Sequence, residues 1–535
     1  AVFVFKKRAD YSPENARAIL YSVPLTRVDD YGRTYSDPTL IGPVPWNVER
    51  ADVAPTQLML TDDMQEIQYS GGTWSERFDR TSIINTQPLL TVAAWWLSIM
   101  AFGWAAFPLL FVLAPGLADR GYALAKFAGI LLVAWVGWFA ASARVPLWSP
   151  EGLRAIWVGL ALISLVVAIR NRVTLLAFIR ARWRLLLAIE GLTLLLFLVW
   201  VGVRLTNPDL WTTGFGGEKP MDYAYFNGVL RSTIFPPIDP WYADGYLNYY
   251  YFGFVIVGAP TLFTGVLPAT AYNLIVPTLY ALTGIGAFAV AFSIISAVAT
   301  SIRNGKRRLP SPYMAGMMAL LLAVVFGNLD TPRTFFTGLA RAGGYQELQD
   351  TSQWLLDDFK QQNGRDPNET ELQTLYAEST DPSFSTQVRY ELTIAGNIVG
   401  SIGRGMGKLV AGEQIYINPD RWFWGPSRVV GEPLGDSSIT EMPIFTYVYG
   451  DLHAHMIAMP LILLIVCLLY NEVALAGREQ RGAAGRGLAL SLIALAVGLT
   501  IATNSWDYPT FMVFGALGLG YAWWLNWRRL SRASV

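Results

Sequence analysis

The feature that most constrains this chain is a series of apolar stretches, each near the ~20 residues a helix needs to cross a bilayer. They occupy 88–114, 125–147, 153–170, 185–206, 270–299, 312–328, 455–472, 488–504 and 509–527. Composition agrees: only 15% of the 535 residues are charged, against roughly 25% in soluble domains. Forty basic residues balance forty acidic ones, which excludes disorder and nucleic-acid binding as main roles. The single cysteine, Cys467, lies in an apolar run and cannot form an internal disulfide. The expectation is an all-α polytopic membrane protein of about 9–11 spans, surrounded by membrane lipids. Its 20 Trp and 25 Tyr suit many interfacial anchors.

Basic residues in short loops set the orientation. Arg170, Arg172, Arg180, Arg182 and Arg184 follow the third span; Arg303, Lys306, Arg307 and Arg308 precede 312–328. Arg478, Arg481 and Arg486 follow 455–472, and Arg528, Arg529 and Arg532 lie near the chain's end. With all four clusters cytoplasmic, 1–87, 207–246, 329–454 and 505–508 lie outside, the loops forming a cap. The divisions are 1–87, 88–206, 207–268, 269–328, 329–454 and 455–535. Parity then requires an odd number of crossings between 206 and 303. Either 248–266, which contains Pro260, dips in without crossing, or 270–299 breaks near Pro277 and Gly284–Gly286 into two spans. A re-entrant segment needs protein or a wet cavity around it. The polar residues 1–86 follow no Met or signal sequence. Val2-Phe3-Val4-Phe5 reads as the last strand of an upstream extracytoplasmic module of the same polypeptide.

Chemistry concentrates at few positions. Both histidines of the chain fall in Asp451-Leu452-His453-Ala454-His455, where the long loop returns to the membrane. In an extended segment residues 451, 453 and 455 share a face, and could bind a divalent metal (Mg or Mn, less readily Zn) or a phosphate. If the helix has begun, Asp451 and His455 pair and His453 points away. The structural alternative makes Asp451 an N-cap. Glu441, just upstream, is a candidate ligand or base. In 207–246, Asp222 is a candidate general base, or the cap of a short helix over 222–233. Asp239 is a further candidate, or the start of an Asp-Pro turn. Tyr249, Tyr250 and Tyr251 form an aromatic platform beside the expected cavity. Arg421 and Arg428 flank a Trp-Phe-Trp run suited to a lipid-linked phosphate or to headgroup anchoring. Asp507 adds a carboxylate to the same face. Glu190 lies inside a span, where an ionisable group is a functional hypothesis, although snorkelling toward Arg184 explains it equally. No P-loop pattern occurs.

Tyr249-Tyr250-Tyr251-Phe252-Gly253, Ile439 through His455, and Asn504-Ser505-Trp506-Asp507-Tyr508-Pro509 resemble the "YYY" multi-pass membrane family of bacteria and archaea, over roughly 88–527. That family is in turn remotely similar to the GT-C glycosyltransferases. The resemblance implies a GT-C-like helical bundle in a bacterial or archaeal plasma membrane, serving the cell envelope. It implies transfer of a sugar from a polyprenyl-phosphate donor on the extracytoplasmic face, with Asp222 at the position of the acidic residue in an early outer loop. The other classes to weigh are a lipid or small-molecule transporter, with Glu190 on its path, and a non-catalytic scaffold.

Overall fold

Apolar runs in a medium without water close their backbone hydrogen bonds internally, as helices, and that is the architecture found. The computed structural model describes residues 27–28, 34–35, 58–211, 217–242, 245–302, 311–326, 330–345, 351–415, 442–478 and 481–533. Among these the only ladder pairs β1 (Arg27–Val28) with β2 (Thr34–Tyr35), antiparallel. The expected upstream strand at Val2–Lys6 lies outside the described residues. Three short helices, α1 (Asp62–Ser70), α2 (Trp74–Arg77) and α3 (Ile83–Thr86), lead into α4 (Pro88–Leu113), α5 (Ala125–Ser142), α6 (Pro150–Arg170) and α7 (Arg172–Thr206). Next come α8 (Lys219–Arg231), α9 (Tyr251–Thr264), α10 (Pro268–Ile302) and α11 (Pro312–Val324). A polar segment holds α12 (Asp330–Ala342), α13 (Thr351–Asn363), α14 (Glu369–Thr380) and α15 (Phe384–Val410). The chain returns through α16 (Pro443–Tyr449), α17 (Ala454–Leu475), α18 (Ala483–Thr503) and α19 (Asp507–Ala533).

Seven of these helices, α4 to α7, α10, α17 and α18, are long and apolar enough to cross a membrane. The other two expected spans depart from that pattern. The stretch 312–328 yields only the 13 residues of α11, about 20 Å at 1.5 Å per residue, short of the ~30 Å hydrocarbon core. The last helix, α19, is long enough, but its Gly, Tyr and Trp content leaves it less apolar than those seven.

The parity question has a structural answer. Helix α10 is unbroken across Pro277, so 270–299 does not divide into two spans. Helix α9 has 14 residues, about 21 Å, and both its ends lie at one end of the bundle. At its start Tyr250 Oη is 3.1 Å from Ser505 Oγ; just past its end Asn85 Nδ2 donates to Gly265 O at 3.0 Å. Asn85 Oδ1 in turn accepts from Leu267 N, ahead of α10. Phe252 through Leu262 are all buried, with α4, α5, α6, α8, α17 and α18 around them. Helix α9 therefore enters and leaves on the same side, fully wrapped in protein.

The core runs through the bundle: α10 packs along α7, α11 and α17, and α4 along α5 and α6. At the end of the bundle away from α9, two ion pairs lock neighbours together. Arg481 reaches both oxygens of Glu472 at 2.8 Å. Lys126 Nζ lies 2.7 Å from Glu190 Oε1. Glu190 is thus paired within the bundle rather than snorkelling to Arg184, because the buried ammonium of Lys126 needs a counter-charge.

Candidate functional site

Two segments far apart in the chain meet beside α9. The first is the start of α8. Pro220 fits its first turn, where the missing N–H costs no hydrogen bond, and Asp222 follows in the same turn, favoured by the helix dipole. Asp222 is not the cap: the helix begins at Lys219, with Glu218 in the N-cap position but making no side-chain cap. The second segment is the link from α16 to α17. Helix α16 stops at Gly450, whose φ of 74° is left-handed. A Cβ there would stand 2.8 Å from Arg204 Nη1, so glycine satisfies both the backbone and the close approach. Residues 451–453 belong to no helix, and α17 starts at Ala454 with His453 as N-cap in an extended conformation, φ −68°, ψ 154°. Asp451 is therefore not the N-cap.

This boundary decides which side chains converge. Across this stretch Asp451 and His453 share a face, and His453 Nε2 lies 3.5 Å from Asp451 Oδ2. His455, already on the helix, stays beside His453, ring centroids 5.4 Å apart, but offers no atom to the cluster; its Nε2 is 3.2 Å from Thr446 Oγ1. The third member of the cluster is instead Asp222, whose Oδ2 is 3.8 Å from His453 Nε2. Asp222, Asp451 and His453 offer ligand atoms within 4.8 Å of one another. His455 does not complete the set expected from the sequence; the Asp222 carboxylate takes its place.

Asp451 is 1% exposed and Asp222 4% exposed, so their charges need compensation. Lys219 Nζ lies 2.9 Å from Asp451 Oδ1, and Glu218 N donates to Asp451 Oδ2 at 2.7 Å. Asp222 Oδ2 is buried and accepts no hydrogen bond. Burial first, then the neighbouring carboxylates of Asp451 and Glu218, push Asp222 up to about 8; the Leu452 backbone N–H and Lys219 pull the other way. Glu218 Oε2 stands 3.4 Å from His453 Nε2.

A cavity of about 220 Å³ opens over these groups, walled by Tyr249, Tyr250, His455, Asn504 and Trp506 among others. Below it, Trp200 stacks on Tyr280 with centroids 3.9 Å apart, and Tyr447 Oη reaches Thr283 Oγ1 at 2.7 Å. The Tyr272 hydroxyl accepts from Leu452 N at 2.8 Å. These contacts fix the turn that carries Asp451 and His453. A larger cavity, about 560 Å³, opens between α2 and α6. Its Arg77 is occupied with the carbonyls of Gly71, Leu230 and Ser232, and it holds no histidine, so the smaller cavity is the stronger candidate.

The remaining candidates separate. Tyr251 leaves the cavity, stacking on Phe235 and accepting from Trp138 Nε1. Asp239 accepts from Trp241 N at 2.8 Å and Tyr242 N at 3.2 Å, a turn of the kind Asp-Pro starts. Asp507 Oδ2 accepts from Asn504 Nδ2 at 3.0 Å, on the cavity's rim. Glu441, Arg421 and Arg428 lie outside the described residues. Sequence reasoning missed Glu218 and Lys219. The one available signal was their position immediately before Pro220 and Asp222, residue types that favour the first turn of a helix.

A family model described as "Uncharacterized membrane protein (DUF2298)" matches residues 132–534. The chain belongs to the DUF2298 family. The match covers α6 through α19 and both segments that build the cavity, which makes this a multi-pass membrane protein by kinship as well as by hydropathy. It begins at 132, within α5, rather than at 88. No curated protein and no solved structure matches this DUF2298 chain.

Proposed function

We propose that this DUF2298 protein is a membrane glycosyltransferase that moves a sugar from a polyprenyl-phosphate donor to an acceptor hydroxyl on the extracytoplasmic face. The observation that carries the reading is the approach of Asp222 to His453, 3.8 Å apart across one cavity. Asp222 Oδ2 takes the acceptor proton as the acceptor oxygen bonds to the sugar's anomeric carbon. The bond from that carbon to the donor phosphate breaks, and the phosphate leaves with the electron pair. A base with a pKa near the working pH is effective, and a buried carboxylate crowded by two others meets that requirement. His453 and His455, both on the cavity wall, lie where imidazole N–H donors would stabilise the departing phosphate. The aromatic wall of Tyr249, Tyr250 and Trp506 suits a sugar ring.

A second reading of the same groups has its own support. Two carboxylates and an imidazole, one carboxylate oxygen lacking any hydrogen-bond donor, fit a divalent cation of the Mg or Mn class. Asp222, Asp451 and His453 would hold such an ion, which would supply charge neutralisation for the donor phosphate, and Glu218 at the rim would be the nearest carboxylate for the acceptor proton. The transport reading loses its main residue, since Glu190 is paired with Lys126.

The test is transfer of radiolabelled sugar from polyprenyl phosphate in membranes. Asp222→Asn and His453→Ala should each lose at least ~100-fold in rate, within the range general acid–base catalysis supplies, with insertion unchanged. Full activity in both variants would end the proposal. Loss on chelation with recovery on adding Mn favours the cation reading; indifference to chelator favours Asp222 as free base.

A further inference from the structure

We infer that α15, carried by α12, lies in the plane of the membrane surface with its apolar stripe in the lipid. Along α15 the side chains of Phe384, Val388, Leu392, Val399, Met406 and Val410 recur at intervals of four or seven residues, which stacks them on one face. All six are exposed; Leu392 and Val399 retain 66% and 69% of their surface. The stripe runs the helix's length, about 40 Å for 27 residues.

A different face of α15 is already used. Ser401 and Gly405 are buried against α12. A Cβ at Gly405 would collide with the Leu339 carbonyl, and one at Gly343 with the Ser401 carbonyl. Arg404 ties the crossing, donating to Gly343 O at 2.9 Å and Ser401 Oγ at 2.8 Å. Ser401 and Gly405 sit about a third of a turn from the stripe at 100° per residue. Among the described residues the α12 contact therefore leaves the stripe uncovered.

The occupant follows from where the pair is tethered. Helix α11 is apolar, and its end is sunk in the bundle: Val324 Cγ2 would stand 3.1 Å from a Cβ at Gly284. From Phe326 the chain reaches Asp330, the first residue of α12, in four steps, at most about 14 Å. Helix α12 thus starts close to membrane depth, and it presents Phe335 and Phe336 exposed. Lys408 opposes the stripe on α15, and Arg389 flanks it while reaching Asp358 at 3.3 Å; cations beside an apolar stripe are the distribution of a helix lying in the headgroup layer.

The experiment places a nitroxide on a cysteine at Leu392, Val399 or Met406, and at Thr393 or Asn397 on the other side. It uses the full chain in nanodiscs of phosphatidylcholine with one-third phosphatidylglycerol. The parent, with buried Cys467, is the background control, and each labelled protein is first shown to elute as the parent does. Collision with oxygen should exceed collision with a water-soluble nickel chelate several-fold at the stripe positions, and the order should invert at Thr393 and Asn397. Equal nickel collision at all sites would show a water-facing stripe and overturn the inference. Exclusion of both reagents from Leu392 and Val399 would overturn it as well, showing a protein cover such as residues 416–441 or a second copy.

Discussion

At Asp222 the burial and like-charge crowding that would suit a proton acceptor also work against the fold. Its pKa, pushed up to about 8 in the native state, lies well above the ordinary carboxylate range. The unfolded chain therefore releases this proton first, and between pH ~4 and ~8 it binds fewer protons than the native state. Stability contributed by this group falls as pH rises through that window. Chelator-treated wild type should lose thermal stability across it relative to Asp222→Asn; parallel profiles for the two proteins would show that Asp222 does not titrate there. Lys219 is the other sensitive residue. Lys219→Met leaves the Asp451 carboxylate buried beside Glu218 and Asp222, and breaking a buried pair in this way costs about 3–5 kcal/mol. Adding Asp451→Asn should recover much of that loss in a detergent melt. The Asp-Leu-His-Ala-His signal was plain in the sequence because both histidines of the chain sit in it. Glu218 and Lys219 were not, because the backbone N–H of Glu218 and the Lys219 ammonium find Asp451 only through tertiary folding.

At the scale of the element, one boundary set the composition of the site. With α17 starting at Ala454, each further residue turns about 100°, so His453 faces Asp451 and His455 faces Thr446. A start one residue later would keep residues 451, 453 and 455 on one side. Local propensity does not settle a choice of that size, since helix boundaries shift by a residue or two with little cost. Long apolar helices were legible because twenty apolar residues have few alternatives. Gly450 is the hinge of this arrangement. Gly450→Ala should destabilise by roughly 1–2 kcal/mol from the left-handed backbone alone, and more from the collision with Arg204. The melt should move down, and activity should fall further than stability, because the turn carrying His453 shifts. An unchanged melt and rate would show that the turn tolerates a side chain.

Across the whole molecule, orientation decides whether the cavity meets extracytoplasmic substrates. The Arg-rich start of α7 and the cavity lie at opposite ends of that helix, so one labelling pair reads the topology. In intact cells an impermeant maleimide should modify Thr206→Cys and spare Arg172→Cys, the latter reacting only after lysis. The reverse pattern would put the cavity in the cytoplasm. Helix α9 carries a consequence for how the protein is made. Its wrapping comes from both halves of the chain: α4, α5, α6 and α8 emerge before or just around it, whereas α17 and α18 emerge about two hundred residues later. Ile457 of α17 is the side chain that fills the space beside Gly253. During synthesis, then, the nascent chain holds a short helix with one flank open until the C-terminal helices arrive and shut it in. A ribosome product ending before residue 454 would stay half-assembled, a natural substrate for membrane quality-control proteases.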